Sequence, residues 1–326
     1  MNKIFITGGA GYIGAELIPT LLEKGYELSV FDLMIYGEDV LDDHPNLKKV
    51  KGDIRDVDLL KHYIHGHDIV IHLACISNDP SFELNPDLGK SINLDAFRPL
   101  VEISKENGVK RFIYASSSSV YGVKKEKEVE ESMSLEPLTD YSKYKAECET
   151  ILSEYQNSDF TTVTLRPATV CGYSRRQRLD VVVNILTNLA YHNREITVFG
   201  GDQLRPNIHI KDMVLAYWMF ITAPDEKIAG EIFNVGGENH SVKELAEIVK
   251  QVLGEDINVV FSETTDNRSY HISSKKIFNK LGFETNYSIK EAVIDLKDAF
   301  NKGLLVDPLT NKEYFNIKTM QEINLK

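Results

Sequence analysis

The 326-residue chain predicts an α/β fold: a doubly wound parallel sheet with a smaller C-terminal α/β unit. Three observations carry that expectation. Apolar strand-like runs alternate with helical patterns through the first half, which calls for a parallel sheet covered on both faces. The first run, Lys3-Ile4-Phe5-Ile6-Thr7, breaks into Gly8-Gly9-Ala10-Gly11-Tyr12-Ile13-Gly14 and then into an amphipathic segment. After Pro167 the regular alternation stops.

Taken in order, the first element is a strand ending in a glycine turn that opens a helix over residues 12–24. Gly8 can take the turn, Gly11 lets backbone amides approach a pyrophosphate, and Gly14 lets helix and strand pack closely. The helix N-terminus offers free N–H groups and the positive end of its dipole to phosphates. The second strand spans residues 27–31, and Asp32 ends it. An acidic side chain about twenty residues past the glycines accepts hydrogen bonds from an adenosine ribose and repels a 2′-phosphate. The following Leu33-Met34-Ile35-Tyr36 has no arginine to neutralise one. NAD is therefore expected over NADP.

Buried strand ends follow at residues 70–74, 112–115 and 162–166, with helices at 90–107 and 140–157 between them and right-handed crossovers. Later elements are a helix at 179–192, a strand at 195–199, a helix near 212–222, a strand at 232–235, and helices at 241–253 and 288–301. Residues 1–166 form the expected nucleotide domain, with 204–235 returning to it. Residues 167–203 and 236–326 form the expected smaller substrate-binding domain. The tail beyond Pro308 is polar with a few aromatics and has no assignable role.

Composition narrows the classes. Hydrophobic residues make up 42% and charged residues 26%, ordinary for a globular protein. No apolar run reaches the roughly 18 residues of a membrane helix. Gly8-Gly9 breaks the first run, so it is not a signal peptide. The net charge of −12 argues against a nucleic-acid surface. Cys75, Cys148 and Cys171 have no metal-ligand spacing and read as small buried residues, so no metal is expected. A reduced, cytoplasmic setting fits.

The chemistry concentrates in two places. Tyr141 and Lys145 sit one helical turn apart near a helix start, on one face. Ser116, Ser117, Ser118 and Ser119 precede Val120-Tyr121-Gly122 at the end of a strand, where doubly wound sheets bind ligands. With Asp32, Gly52-Asp53-Ile54, His72-Leu73-Ala74, Asn93 and Leu165-Arg166-Pro167, these residues resemble the extended short-chain dehydrogenases/reductases, in the branch of NAD-dependent nucleotide-sugar epimerases and dehydratases. The resemblance runs from Lys3 to about Phe300. It implies the Rossmann form of the sheet and a homodimer. It places the catalytic hydroxyl on Ser117, adenine on Asp53 and Ile54, and the nicotinamide ribose on Lys145. Tyr12, Ile13, Leu73, Ala74, Asn93 and Pro167 line the cofactor.

A free tyrosine titrates near 10, and lowering it by about three units takes roughly 4 kcal/mol. A lysine ammonium about 5 Å away supplies roughly 3 kcal/mol at an effective dielectric of 20. The positive nicotinamide supplies the rest, so Tyr141 is the expected base.

The dehydratases of this branch place Asp-Glu after the catalytic hydroxyl. Here the residues are Ser118 and Ser119, so 4,6-dehydration is not expected. The resemblance puts a nucleotide diphosphate on Arg205 and, by a looser match, on Arg268. The family asparagine near substrate phosphate is Thr169. The basic run Ser174-Arg175-Arg176-Gln177-Arg178 either lines an anionic sugar-nucleotide pocket, with Arg178 as a substrate residue, or starts a solvated helix. The first expectation is a 4-epimerase that oxidises C4 of an NDP-sugar and returns the hydride to the other face. Its rival is a net 4-dehydrogenase or 4-ketoreductase on a GDP-, CDP- or dTDP-linked heptose or deoxysugar. A catalytically silent NAD-binding regulator has no reason to keep Ser117, Tyr141 and Lys145. The dimer is expected on helices 90–107 and 140–157, whose apolar Phe97, Leu100, Val101, Ile151 and Leu152 face either a partner or the core.

Overall fold

A computed structural model describes residues 2–77, 79–264, 269–323 and 325. Strand β1 (Lys3–Thr7) passes through the glycine turn into α1 (Gly14–Glu23). Then come β2 (Glu27–Asp32), β3 (Leu47–Lys51), α2 (Val57–Ile64) and β4 (Ile69–His72). Short helices α3 (Asp79–Glu83) and α4 (Pro86–Lys90), and a π-helical turn at Ser91–Asp95, lead to α5 (Phe97–Glu106) and β5 (Arg111–Ala115). Next are α6 (Asp140–Ser153), β6 (Thr161–Pro167), β7 (Thr169–Cys171), α7 (Val182–Asn193), β8 (Glu195–Phe199) and β9 (Leu204–His209). The chain continues through α8 (Ile210–Thr222), α9 (Asp225–Ile228), β10 (Glu231–Val235), β11 (Glu238–Ser241) and α10 (Val242–Leu253). It ends with β12 (Asn258–Ser262), α11 (Lys275–Leu281), α12 (Ile289–Asn301) and α13 (Asn316–Ile323).

The main sheet has seven strands in the order β3-β2-β1-β4-β5-β6-β10, each neighbouring pair parallel. Strand order reverses between β1 and β4, the switch point where such sheets bind ligands at their carboxyl ends. Side chains alternate across the pleat. Ile4 and Ile6 therefore pack with Leu17 and Leu21 of α1 and Met213 and Phe220 of α8. Phe5 packs the other way, with Leu60 of α2, Leu100 of α5 and Leu152 of α6. This is the expected two-faced Rossmann core.

The smaller unit has its own core, where α7, α10 and α12 meet β8 through Leu186, Leu245, Val293 and Val198. Its strands form a β11-β9-β7 sheet and a parallel β12-β8 pair. Val170 of β7 and Ile208 of β9 nevertheless pack into the core of the large sheet. Leu204–His209 pairs within the small sheet, and β10 pairs within the large one. No helix among the described residues is long and apolar enough to cross a membrane.

Candidate active site

A cavity of about 620 Å³ lies between the two units, against the carboxyl ends of β1, β2, β4, β5 and β6. Its first wall is the glycine turn. Gly8 has φ +72°, and a Cβ there would lie 2.4 Å from the backbone nitrogen of Ala74. Gly11 faces the cavity. A Cβ on Gly14 would come within 2.1 Å of the Gly9 carbonyl oxygen. Gly14 thus allows close packing against the turn itself, rather than against the strand as expected. No side chain caps the start of α1, so the positive end of its dipole faces the turn uncovered, the place where a phosphate would sit. Asp32 ends β2 with one carboxylate oxygen on the N–H of Ala10 (3.0 Å) and the other on that of Met34 (2.8 Å). Burial raises its pKa, and those two bonds and the charge of Arg176 oppose the rise. A bare glycine cradle, an uncapped helix start and an oriented acceptor fit a dinucleotide.

The second wall carries the reactive groups, and the serine run divides its labour. The Ser116 hydroxyl donates to Glu149 (2.5 Å), which also holds Arg166 (2.6 Å) in a pair whose side chains are 4% and 3% exposed. Burial works against the Arg166 charge, and Glu149 more than restores it. This pair braces the end of β5 from beneath. Ser118 faces the Tyr270 hydroxyl (3.5 Å), and Ser119 shares a 2.8 Å bond with Ser117. Ser117 lines the cavity together with Tyr141, and its hydroxyl is the one of the four that lowers the Tyr141 pKa. Thr139 caps α6 in a reciprocal box with Ser142, which fixes the helix carrying Tyr141 and Lys145.

The electrostatics of Tyr141 differ from expectation. Burial, Cys75 and Asp79 push its pKa well above 10, and Arg178 and the Ser117 hydroxyl pull it down. The Lys145 ammonium donates to the Ala115 carbonyl (2.6 Å) and sits 5.9 Å from the Tyr141 ring centre. Lys145 is therefore not among the leading influences on that phenol. The groups of the chain around Tyr141 therefore favour the neutral phenol.

The remaining expected positions divide. Tyr12, Ile13, Ile54, Leu73, Ala74 and Pro167 line the cavity. So do Asp53, Thr169, Arg178 and Arg205. The Tyr12 hydroxyl turns away to the Gly172 carbonyl (2.6 Å). Arg55 holds both carboxylate oxygens of Asp53. Asn93 does not line the cavity; its amide bonds the N–H and carbonyl of Ile76, pinning the loop after β4. Arg268 lies outside the described residues. Cys148 and Cys171 are buried as expected, whereas Cys75 is half-buried and faces the cavity.

The apolar residues expected at a dimer interface point inward. Phe97, Leu100, Val101 and Leu152 are at most 1% exposed and belong to the core beneath the sheet. The outer side of α5 and α6 carries Arg98, Glu102, Glu154 and Tyr155 in one hydrogen-bonded set.

Three features escaped the sequence. Asp79 is 7% exposed, lines the cavity and accepts from Thr139. Arg176 faces the same cavity from a run that could equally line a pocket or start a solvated helix, and that had no cofactor role. Asn316, Met320 and Leu325 bring the tail to it. An isolated Asp, a basic run and a polar tail carry no local signal for this.

A model of the NAD dependent epimerase/dehydratase family matches residues 4–236. The uncharacterised UDP-glucose epimerase YtcB of Bacillus subtilis is 31% identical over 80% of this chain and 85% of its own length. Human dTDP-D-glucose 4,6-dehydratase is 28% identical over 90% of this chain and 88% of its own. Among solved structures, the UDP-glucose 4-epimerase of Thermotoga maritima with UDP-glucose superimposes with a TM-score of 0.84 at 27% identity, covering 93% of this chain and all of that one.

Proposed function

The chain belongs to the NAD dependent epimerase/dehydratase family, with NAD as cofactor, and on that premise we propose that it is a nucleotide-sugar 4-epimerase. The observation that carries the reading is the meeting of Ser117 and Tyr141 at a cavity wall where hydroxyls, Ser118 and Ser119, stand next to Ser117. Neither hydroxyl is a competent acid or base near neutral pH. When bound, NAD would supply the hydride acceptor for the sugar carbon, and in its reduced form the donor that restores it. Tyr141 takes the proton of the 4-hydroxyl and gives it back. Ser117 hydrogen-bonds the same oxygen and aligns it, and Lys145 holds the nicotinamide ribose. Arg205 and Thr169 face the nucleotide diphosphate from the smaller unit. The cycle closes without a second oxidant.

Dehydration has one observation in its favour. Asp79 is a buried carboxylate whose field reaches Tyr141, and it could supply the acid that Ser118 and Ser119 lack. One experiment separates the readings. Purified protein is incubated with UDP-, dTDP-, GDP- and CDP-sugars without added NAD(H). An epimerase gives a mixture of 4-epimers at equilibrium. A 4-keto-6-deoxy product would establish the dehydratase, and a single turnover that stalls would establish a net dehydrogenase. Tyr141→Phe should lower kcat about 10²–10⁴-fold with nucleotide-sugar affinity retained; near-full turnover would remove Tyr141 as base. A homodimer remains part of the proposal, through the polar outer side of α5 and α6. A monomeric mass by light scattering at micromolar concentration would remove it.

A further inference from the structure

The segment between β7 and α7 lies on the glycine turn. The Ser174 hydroxyl donates to the Tyr12 carbonyl (2.8 Å), the Arg175 N–H donates to Glu16 (3.3 Å), and the Tyr12 hydroxyl donates to the Gly172 carbonyl (2.6 Å). From that segment Arg176 and Arg178 enter the cavity. Arg176 is 4% exposed and stacks 3.4 Å over the Tyr36 ring. Among the described residues no carboxylate pairs with it, and its Nε has no hydrogen-bond partner. Arg178 has a partial counter-charge, with Nε on Asp180 (2.9 Å), but one Nη has no partner. A buried cation without a counter-ion is costly, and burial pushes the Arg176 pKa down accordingly. Two guanidinium groups with unused buried donors, two residues apart, describe a place for an anion.

Its position says which anion. Arg176 lies by Asp32 and Tyr36, at the ribose end of the cofactor half, and its charge acts on both. The Arg178 charge acts on Tyr12 and Tyr141, toward the reactive end. Between those ends lies the start of α1, already built for phosphate. Arg205 enters from β9 in the smaller unit instead.

The tail completes the arrangement. The Asn316 carbonyl oxygen accepts from Arg176 (2.6 Å) and from the Tyr36 hydroxyl (3.0 Å). Its amide donates to Ser77 (2.7 Å), and its backbone N–H donates to Asp180 (2.8 Å). One residue of α13 thus fixes both arginine arms, the end of β2 and the loop after β4.

We propose that Arg176 and Arg178 form a cationic wall that clamps the cofactor diphosphate against the glycine turn, and that the C-terminal helix, through Asn316, straps this wall in place. The cofactor then leaves only when the strap lifts.

The test reads binding rather than turnover. Calorimetry with NAD, ADP, adenosine and UDP is run on the full chain and on Arg176→Met, Arg178→Met and Arg178→Lys. A hydrogen bond to a charged group supports an expected loss of about 10–100-fold for NAD and for ADP in each Met variant. Adenosine and UDP should change less than about twofold, and Arg178→Lys should recover part of the loss. Without ligand, Arg176→Met should melt no lower than the parent, because it removes an unpaired buried cation. Asn316→Ala should speed NAD release several-fold, measured by exchange into excess labelled NAD. Equal losses for adenosine and ADP would make the arginines structural and overturn the proposal. A loss confined to UDP would assign them to the substrate and overturn it too. Should Arg176→Met not fold, the Arg178 and Asn316 variants decide on the same outcomes.

Discussion

The glycine wall and the arginine wall line the same cavity and are built in opposite ways. The glycine wall uses backbone from one stretch, Thr7 to Gly14, and works because side chains are missing. The arginine wall uses long side chains from Arg176 and Arg178, steadied by Tyr36, Ser77, Asp180 and Asn316. A backbone wall is rigid and has one geometry. A side-chain wall loses rotamer entropy when it forms, and needs partners to hold it. The lesson is that the first wall can select a ligand shape, whereas the second can set how long the ligand stays.

The largest effect should come from filling the backbone wall. Gly8→Ala puts a Cβ 2.4 Å from the Ala74 nitrogen and 2.5 Å from its Cα, at φ +72°. Backbone cannot step aside as a flexible side chain can. Loss of measurable NAD binding is expected, with a stability loss above the roughly 1–2 kcal/mol of a left-handed alanine. Gly25→Ala is the control: its φ is +83°, and nothing lies within 4 Å of the added Cβ. It should show the smaller loss and bind NAD normally. If Gly8→Ala bound NAD like Gly25→Ala, the glycine wall would not be the rigid one.

The same contrast explains what the sequence made legible. The glycine turn announces itself because its residues are consecutive and the strand and helix they need adjoin it. Ser117, Tyr141 and Lys145 were found for the same reason, as two short runs at element ends. Strand β3 was missed because Leu47-Lys48-Lys49-Val50-Lys51 is an edge strand whose only fully buried side chain is Val50. Strand β9 has no distinct signal, and its pairing with β7 and β11 is not written in its own residues. The arginine wall was invisible as a wall. Arg178 was expected on the substrate, and Arg176 and Asn316 had no cofactor role, because their meeting place is set by tertiary packing. Reading only the residues next to Asp32 suggested that no arginine was near; Arg176 arrives from far along the chain.

An intermediate effect should appear in the pH profile, where the two sides of the cavity pull Tyr141 in opposite directions. After burial, Cys75 and Asp79 raise its pKa, and Arg178 and the Ser117 hydroxyl lower it. A base must be deprotonated to accept a proton, so the rising limb of kcat follows this pKa. Asp79→Asn removes a negative charge and should move the limb to lower pH. Arg178→Met removes a positive charge and should move it to higher pH, read at saturating NAD. Shifts in the same direction would show that the arginine wall and Tyr141 are not electrically connected.

The smallest effect concerns the footing of the glycine wall. His72 ends β4 beside Thr7 at the end of β1, and its Nδ1 lies 2.7 Å from the threonine hydroxyl. Burial, helped by the Lys145 charge, lowers its pKa from 6.5 to about 3. The folded chain therefore keeps His72 neutral, while the unfolded chain protonates it below about 6.5. More protons bind to the unfolded state across that interval, so this contribution to stability is full above 6.5 and is lost as the pH falls toward 3. The arginine wall has no counterpart, because a guanidinium stays charged throughout. Mild acid should thus loosen the footing of the backbone wall while leaving the charge of the other unchanged. The measurement is the fall in melting temperature between pH 7 and pH 5, in the parent and in His72→Gln, whose amide can still meet Thr7. The variant should fall by less; an equal fall would mean that His72 already shares its proton with solvent in the folded chain.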